Sequence, residues 1–464
     1  MAQRNRERRL AAAARRRARR RAHSGTEGGA AGWGGAGFGG FESVGPGVPY
    51  AGTTRAKPSA ETISTVLLSA AHERWAGDTE AGARIAAMVA DRCAASPSLL
   101  AAAATRAVTP LVTAVWARGW SPEDLHQAGR RRLDGAGVGY LVDAIAQESQ
   151  RYAQAALSPR WGEDLRQIGA VLWWETSQAE GHLPQWARRY GRDLTESLRT
   201  VVEVLAMLLA LPVLPAIVPP PGSTAAAPPR RGVDQKMLAR VRALLAKAES
   251  TTFPEEAEAL SAKAQELMSR YSLERIATDS AGDADPHPAT ARRIWLDNPY
   301  VAAKALLVGA VAGANRCRSV LSEKLGFTTV LGDAVDLEIV ELLSTSLLVQ
   351  ATRAMVSAGS QITRSGQSRT RSYRQSFLIA YATRIGERLN AAHDAGAAAV
   401  ADPARLLPVL AARERVVEEL VESMFPQSVS RSYSVGNAAG WHAGRAAADL
   451  ATLDTRRAMR TAQS

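Results

Sequence analysis

Apolar residues recur at helical spacing through most of the chain. In 59–211 the pattern runs through Ile63, Val66, Leu67 and Ala70, and again through Leu194, Leu198, Val201, Val202 and Leu205. Recurrence at i, i+3, i+4 and i+7 marks one face of an α-helix, so this stretch is expected to be all-helical. Ser121-Pro122-Glu123-Asp124 reads as a helix start. Ser121 can cap, Pro122 suits the first turn, and two acids face the positive helix end. Two more stripes follow. Met237, Val241, Leu244, Leu245 and Ala248 form one, and Ala257, Leu260, Ala264, Leu267, Met268 and Tyr271 the other. Ser250 to Pro254 breaks the pattern between them, and Thr252 with Glu255 fits a capping box. Two such stripes joined by a short turn are expected to pair antiparallel over 234–276.

Beyond 276 the period changes. Strand patterns are expected at 293–296, and as a hairpin of 317–321 with 327–331 across Ser322 to Gly326. A helix of small residues is expected at 299–312. Asp333 is placed to start a long helix reaching about residue 358, and further helices are expected near 373–398, 403–424 and 436–450. A small sheet with many helices is an α+β pattern. The fold class expected is therefore mainly α: an N-terminal all-helical domain, then a C-terminal α+β domain headed by an antiparallel helical hairpin.

The run from Lys236 to Leu273, KMLARVRALLAKAESTTFPEEAEALSAKAQELMSRYSL, resembles the family called domain of unknown function 2786. The residues that carry the likeness are Arg242 through Ala248, Glu256-Ala257 and Lys263 through Met268. The region after it also resembles the companion domain of unknown function 7168, through Val330-Leu331-Gly332-Asp333 and the long helix that follows. The resemblance implies a fold; it implies no activity and no site residues.

Composition divides the chain further. Of the net charge of +12, the first 22 residues supply +9, from ten Arg against Glu7, which leaves +3 for the other 442 residues. Residues 25–47 hold eleven Gly and almost no helix or strand former. Residues 1–58 are therefore expected to be a disordered basic and Gly-rich arm. Pro212, Pro215, Pro219 to Pro221, Pro228 and Pro229 mark 212–233 as a stiff linker. The expected order is arm 1–58, helical domain 59–211, linker 212–233, hairpin 234–276, α+β domain 277–455 and tail 456–464. Lysine numbers only six against 51 Arg. A GC-rich bacterial genome would give that bias without selection, and each Arg cluster is weighed against it.

No apolar segment resembles a signal peptide, and the apolar run at 204–218 is shorter than a bilayer requires and is broken by Pro212 and Pro215. A cytoplasmic protein without a membrane span is expected. The two cysteines, Cys93 and Cys317, lie too far apart in sequence to suggest a zinc site. No histidine pair has ligand spacing, and no phosphate loop, dinucleotide fingerprint or hydrolase elbow is present, so no metal and no cofactor are expected. No complete catalytic motif points to an enzyme.

Four features remain with a reading on each side. Asp333, Asp336, Glu338 and Glu341 are either a cation or acid/base site or an acid-rich helix start. Gly436, Gly440, Gly444 and Ala448 share one helix face, for close packing or for ligand approach beside His442. Seven of the ten tryptophans fall in 59–211, as core anchors or as a binding surface. Arg364, Arg369, Arg371 and Arg374 sit in a Ser/Gly-rich stretch without acids, suited to phosphate or simply solvated.

The Arg-rich arm gives the leading functional expectation. Arg15, Arg16, Arg17, Arg19, Arg20 and Arg21 would displace counterions from a polyanion, with Arg364, Arg369, Arg371 and Arg374 as a second contact. A membrane-surface helix would need an apolar face, and Leu10 with alanines is all the arm offers, so nucleic acid ranks first. A scaffold whose helical domain recruits a protein partner is the alternative, and an enzyme in the C-terminal domain comes third. The oligomeric state is left open.

Overall fold

A computed structural model describes residues 58–223, 289–357, 369–398, 403–430 and 435–451. The arm up to residue 57, the expected hairpin at 234–276, Arg364 and the tail lie outside the described residues.

Among the described residues, eight α-helices build the N-terminal half: α1 (Ala60–Ala76), α2 (Thr79–Arg92), α3 (Pro97–Ala117), α4 (Pro122–Arg130), α5 (Gly135–Ser149), α6 (Pro159–Gln167), α7 (His182–Tyr190) and α8 (Leu194–Leu209). Local chemistry sets most of their starts. The side chains of Ser59, Asp78, Asp134 and Ser158 each accept a hydrogen bond from a first-turn amide, and Asp193 with Glu196 closes a reciprocal capping box. Helices α1, α3 and α8 meet at the centre, through Leu67, Ala70, Leu100, Ala104, Val108, Leu198, Val201 and Leu205. The alanines among them let helix axes approach closely.

Of the seven tryptophans here, Trp116, Trp120, Trp161, Trp174 and Trp186 are buried, Trp173 is half-buried and Trp75 is exposed. They are mainly core anchors. One described helix, α3, is long and apolar enough to cross a membrane by length and composition. It packs against α1, α5, α7 and α8.

The C-terminal half holds a three-stranded antiparallel sheet of order β1-β3-β2, with β1 (Thr290–Trp295), β2 (Arg318–Ser322) and β3 (Phe327–Gly332). Helices α9 (Val301–Ala314), α10 (Ala334–Ser357), α11 (Thr370–Ala398), α12 (Pro403–Met424) and α13 (Ala438–Asp449) accompany it. The central strand β3 is buried along its whole length. Ile294 and Val330 join the core of α9, α10 and α11, while Ala291 and Leu331 meet Val417 of α12. Trp295 reaches instead the core of the helical half. Alternation along a strand explains how one strand serves both sides. The fold is thus mainly α with one small antiparallel sheet, as the pattern predicts.

The glycine stripe on α13 settles into close packing. A side chain at Gly440 or Gly444 would collide with the Tyr373 or Phe377 carbonyl oxygen of α11, and Ala448 is fully buried. The face that could have admitted a ligand is filled by helix, and His442 lies exposed.

The proline-rich stretch at 212–223 has no regular secondary structure and is held against the body. Leu214 N–H donates to Arg118 O (2.8 Å), and the Trp120 indole donates to Pro212 O (2.8 Å). Val218 is buried. Pro58–Ser464 forms one compact unit.

Candidate functional site

The helical half and the sheet meet in a cluster of charge with a buried ion pair at its centre, and it starts from a helix cap. Ser121 Oγ accepts the Asp124 amide (3.3 Å), while Asp124 Oδ2 accepts the Ser121 amide (3.2 Å). This box fixes the Asp124 carboxylate at the start of α4. Arg293 of β1 pairs with it; the side chains are only 2% and 4% exposed. Arg293 also donates to Gly119 O (3.0 Å) and Pro215 O (2.7 Å), and its guanidinium lies 5.4 Å from the Phe327 ring centre. The Trp295 indole donates to Asp124 Oδ1 (3.1 Å). A desolvated ion pair is tolerable only when such extra bonds satisfy both partners.

A second layer surrounds this pair. Arg160 of α6 donates to Ala291 O of β1 (3.1 Å), and Arg292 pairs with Glu341 of α10. Asp164 of α6 is buried, with the Ser121 hydroxyl and the Glu123 amide favouring its charged form. The half-buried Glu123 carboxyl faces Asp164, Glu341, Asp124 and Arg160. Burial, with the repulsion of the three carboxylates, pushes it up to about 7, and Arg160 opposes the rise only in part. Burial also raises Asp164, against the pull of Arg160, and it lowers Arg160, beside Arg292.

Four carboxyls, Glu123, Asp124, Asp164 and Glu341, therefore meet three guanidinium groups, those of Arg160, Arg292 and Arg293. The carboxyls outnumber the guanidinium groups by one, and Glu123 is the one pushed up to about 7. A carboxyl that titrates near neutrality can give or take a proton under ordinary conditions. Among the described residues no group of three or more His, Cys, Asp or Glu is arranged to hold a metal ion.

Sequence reading found the α4 start and Glu341 but not their partners. The signal was the pair Arg292-Arg293 in a strand. Neighbouring strand residues point to opposite faces, so a sheet covered on both sides must bury one arginine or the other.

The acids 333–341 do not converge. Asp336 pairs with Arg316 (3.3 Å), Asp333 lies 3.9 Å from Arg413 while accepting the Val335 amide, and Glu341 turns to Arg292. Of the arginines expected to meet phosphate, Arg15, Arg16, Arg17, Arg19, Arg20, Arg21 and Arg364 lie outside the described residues. Arg369 and Arg371 are exposed at the start of α11, whose first turn has no acid. Arg374, half-buried on the same helix, has a buried Nε without a hydrogen-bond partner.

A second buried titratable pair lies inside the helical half. His182 Nε2 is 2.8 Å from Asp143 Oδ2, and Trp173 donates to Asp143 Oδ1 (2.8 Å). Trp174 and Tyr140 pack on the imidazole at 4.3 and 5.4 Å between ring centres. No hydroxyl or thiol among the described residues is hydrogen-bonded to this ring, so the pair lacks a nucleophile to activate.

The family described as "Protein of unknown function (DUF2786)" matches residues 236–275, 40 of the 464. The match falls on the stretch that carries the two apolar stripes, outside the described residues. No curated protein and no solved structure matches the chain.

Proposed function

We propose that the protein is a cytoplasmic, nucleic-acid-associated binding protein that holds the phosphate backbone through its Arg-rich arm. The observation that carries this reading is the concentration of charge: +9 of the net +12 lies in the first 22 residues. Such a segment releases condensed counterions from a polyanion and binds it with little regard to sequence.

The start of α11 supports the same reading. Cations at a helix N-terminus oppose the helix dipole, typically by about 0.3–1 kcal/mol each. Arg369 and Arg371 stand there exposed with no acid in the turn. A phosphate group would turn that cost into attraction, because guanidinium groups and the positive end of the helix both favour it.

The test is retention of the full chain on duplex DNA and structured RNA as salt is raised. Six to ten phosphate contacts lose roughly 1,000- to 100,000-fold in affinity between about 50 and 200 mM salt. A chain lacking residues 1–22 is expected to lose most of that retention and of its salt slope. Equal retention with and without the arm would end the proposal.

Recruitment of a protein partner by the helical half draws on Trp75, which is 58% exposed at the end of α1. Exposed tryptophans are common anchors of protein interfaces. Trp75→Ala would abolish a stoichiometric complex on this reading; a complex that survives the change would exclude Trp75 as its anchor.

The likeness of 277–455 to domain of unknown function 7168 is also proposed, on Val330-Leu331-Gly332-Asp333. These residues close β3 and lead into α10. A solved member of that family lacking an antiparallel strand followed directly by a long helix would refute it.

A further inference from the structure

We propose that the charge cluster joining α4 and α6 to β1 and α10 is a pH-gated clasp: with Glu123 protonated the halves are held together, and ionisation of Glu123 loosens the hold of β1 on α4. The inference is independent of the nucleic-acid reading and concerns a different part of the molecule.

The geometry sets the charge count. Three guanidinium groups enter the seam, two from β1 and one from α6. Arg293 is paired with Asp124 and Arg292 with Glu341, while Arg160 donates to the Ala291 carbonyl and is left alone to serve both Asp164 and Glu123. A fourth ionised carboxylate has no cation of its own. Helix α6 presents Asp164 and Arg160 to Glu123, α10 presents Glu341, β1 contributes Arg292 and Arg293 to the same cluster, and α4 itself adds Asp124. Helix α5 also packs on α4. Its acids are engaged elsewhere, Asp143 with His182 and Trp173, Glu148 with Thr113 and Arg151. His126, on α4 as well, is influenced by Arg130. Glu123 is half-buried, so the fourth carboxylate is relieved by a proton or by fuller opening of the seam to water.

Opening would give Glu123 back its ordinary acidity, so the open form gains as pH rises through the range in which the closed form still holds the proton. A carboxyl at about 7 when closed and ordinary when open shifts the opening equilibrium about tenfold between about pH 6 and pH 8. Above the closed-state value the effect levels off.

Hydrogen–deuterium exchange of the full chain reads this directly. Amides of β1 (Thr290–Trp295) and of the α4 start are expected to lose about tenfold in protection from about pH 6 to pH 8, after correction for intrinsic exchange. In Glu123→Gln the protection should be the same at both pH values. The core of α1 and α8, remote from the cluster, serves as the internal reference. Equal pH dependence in wild type and Glu123→Gln, or no pH dependence in wild type, would overturn the clasp. If Glu123→Gln does not fold, Glu341→Gln replaces it. Removing that neighbouring carboxylate eases ionisation of Glu123 and moves the wild-type transition to lower pH, and a transition that stays in place would equally refute the proposal.

Discussion

Replacing Arg293 by Met is the sharpest test of how the two halves are joined. Methionine has similar length and fits an apolar setting, so the change removes charge and donors with little loss of volume. The losses are specific: the ion pair with Asp124 and the bonds to Gly119 O and Pro215 O. Breaking one side of a buried ion pair costs about 3–5 kcal/mol, because the remaining charge stays buried. Asp124 keeps the Ser121 amide and the Trp295 indole as donors, which favours the lower end. Each carbonyl left without a donor adds on the order of 1 kcal/mol. A loss of about 5 kcal/mol follows, or a fall of up to about 10 °C in melting temperature for a unit this large. Thermal unfolding of the full chain, followed by tryptophan fluorescence, measures it. Arg318→Met is the control: Arg318 is 37% exposed and pairs with Glu414 and Glu418, an arrangement worth at most about 1 kcal/mol. Adding Asp124→Asn to Arg293→Met should recover part of the loss by removing the stranded charge. If Arg293→Met costs no more than the control, the buried pair does not hold the seam.

Three further outcomes follow from the same structure. Glu123→Gln should stabilise the protein in a pH-dependent way: the buried carboxyl sits at about 7, above its unfolded value, so wild-type stability is highest in acid and is lost as pH rises from about 4.5 to about 7. The variant gains at most about 3 kcal/mol at pH 8 and nothing near pH 4, and urea titrations across that range that run parallel would contradict this. Gly444→Ala drives a methyl into the Phe377 carbonyl and should cost about 1–3 kcal/mol by denaturant melting. Gly313→Ala on α9 has open space and should gain up to about 1 kcal/mol, and the same sign at both sites would refute the close-packing account. Arg369→Ala and Arg371→Ala should each lower the salt slope of nucleic-acid binding by about 1 while raising thermal stability by a few tenths of a kcal/mol. An unchanged slope would remove the α11 start from the interface.

Much of the architecture was legible from sequence because it rests on neighbours. Ser121 capping Asp124 spans three residues, and the strand–turn–strand after residue 317 closes across a short turn. The start of α10 after Asp333 and the bounds of α12 obey the same local rules. The glycine stripe announced a close approach because a missing Cβ leaves room on that helix face, but helix or ligand was still open. Which helix would approach, α11, was not encoded in the stripe.

The candidate site was hidden for the opposite reason. Arg293 and Asp124 are separated by 169 residues, and Arg160 reaches β1 across 131. No periodicity or cap links such positions; only the folding of the chain selects them. The acids from Asp333 to Glu341 looked like one cluster in sequence, yet Asp333, Asp336 and Glu341 each found a different arginine. By itself the sequence determined the helical character of 59–211, the helix starts at Ser121 and Asp333, the strands of the small sheet, the basic arm and the family likeness from Lys236 to Leu273. The tertiary structure alone decided which charges are buried together. Burial and charge balance are properties of a shared environment, and that environment exists only once distant segments have met.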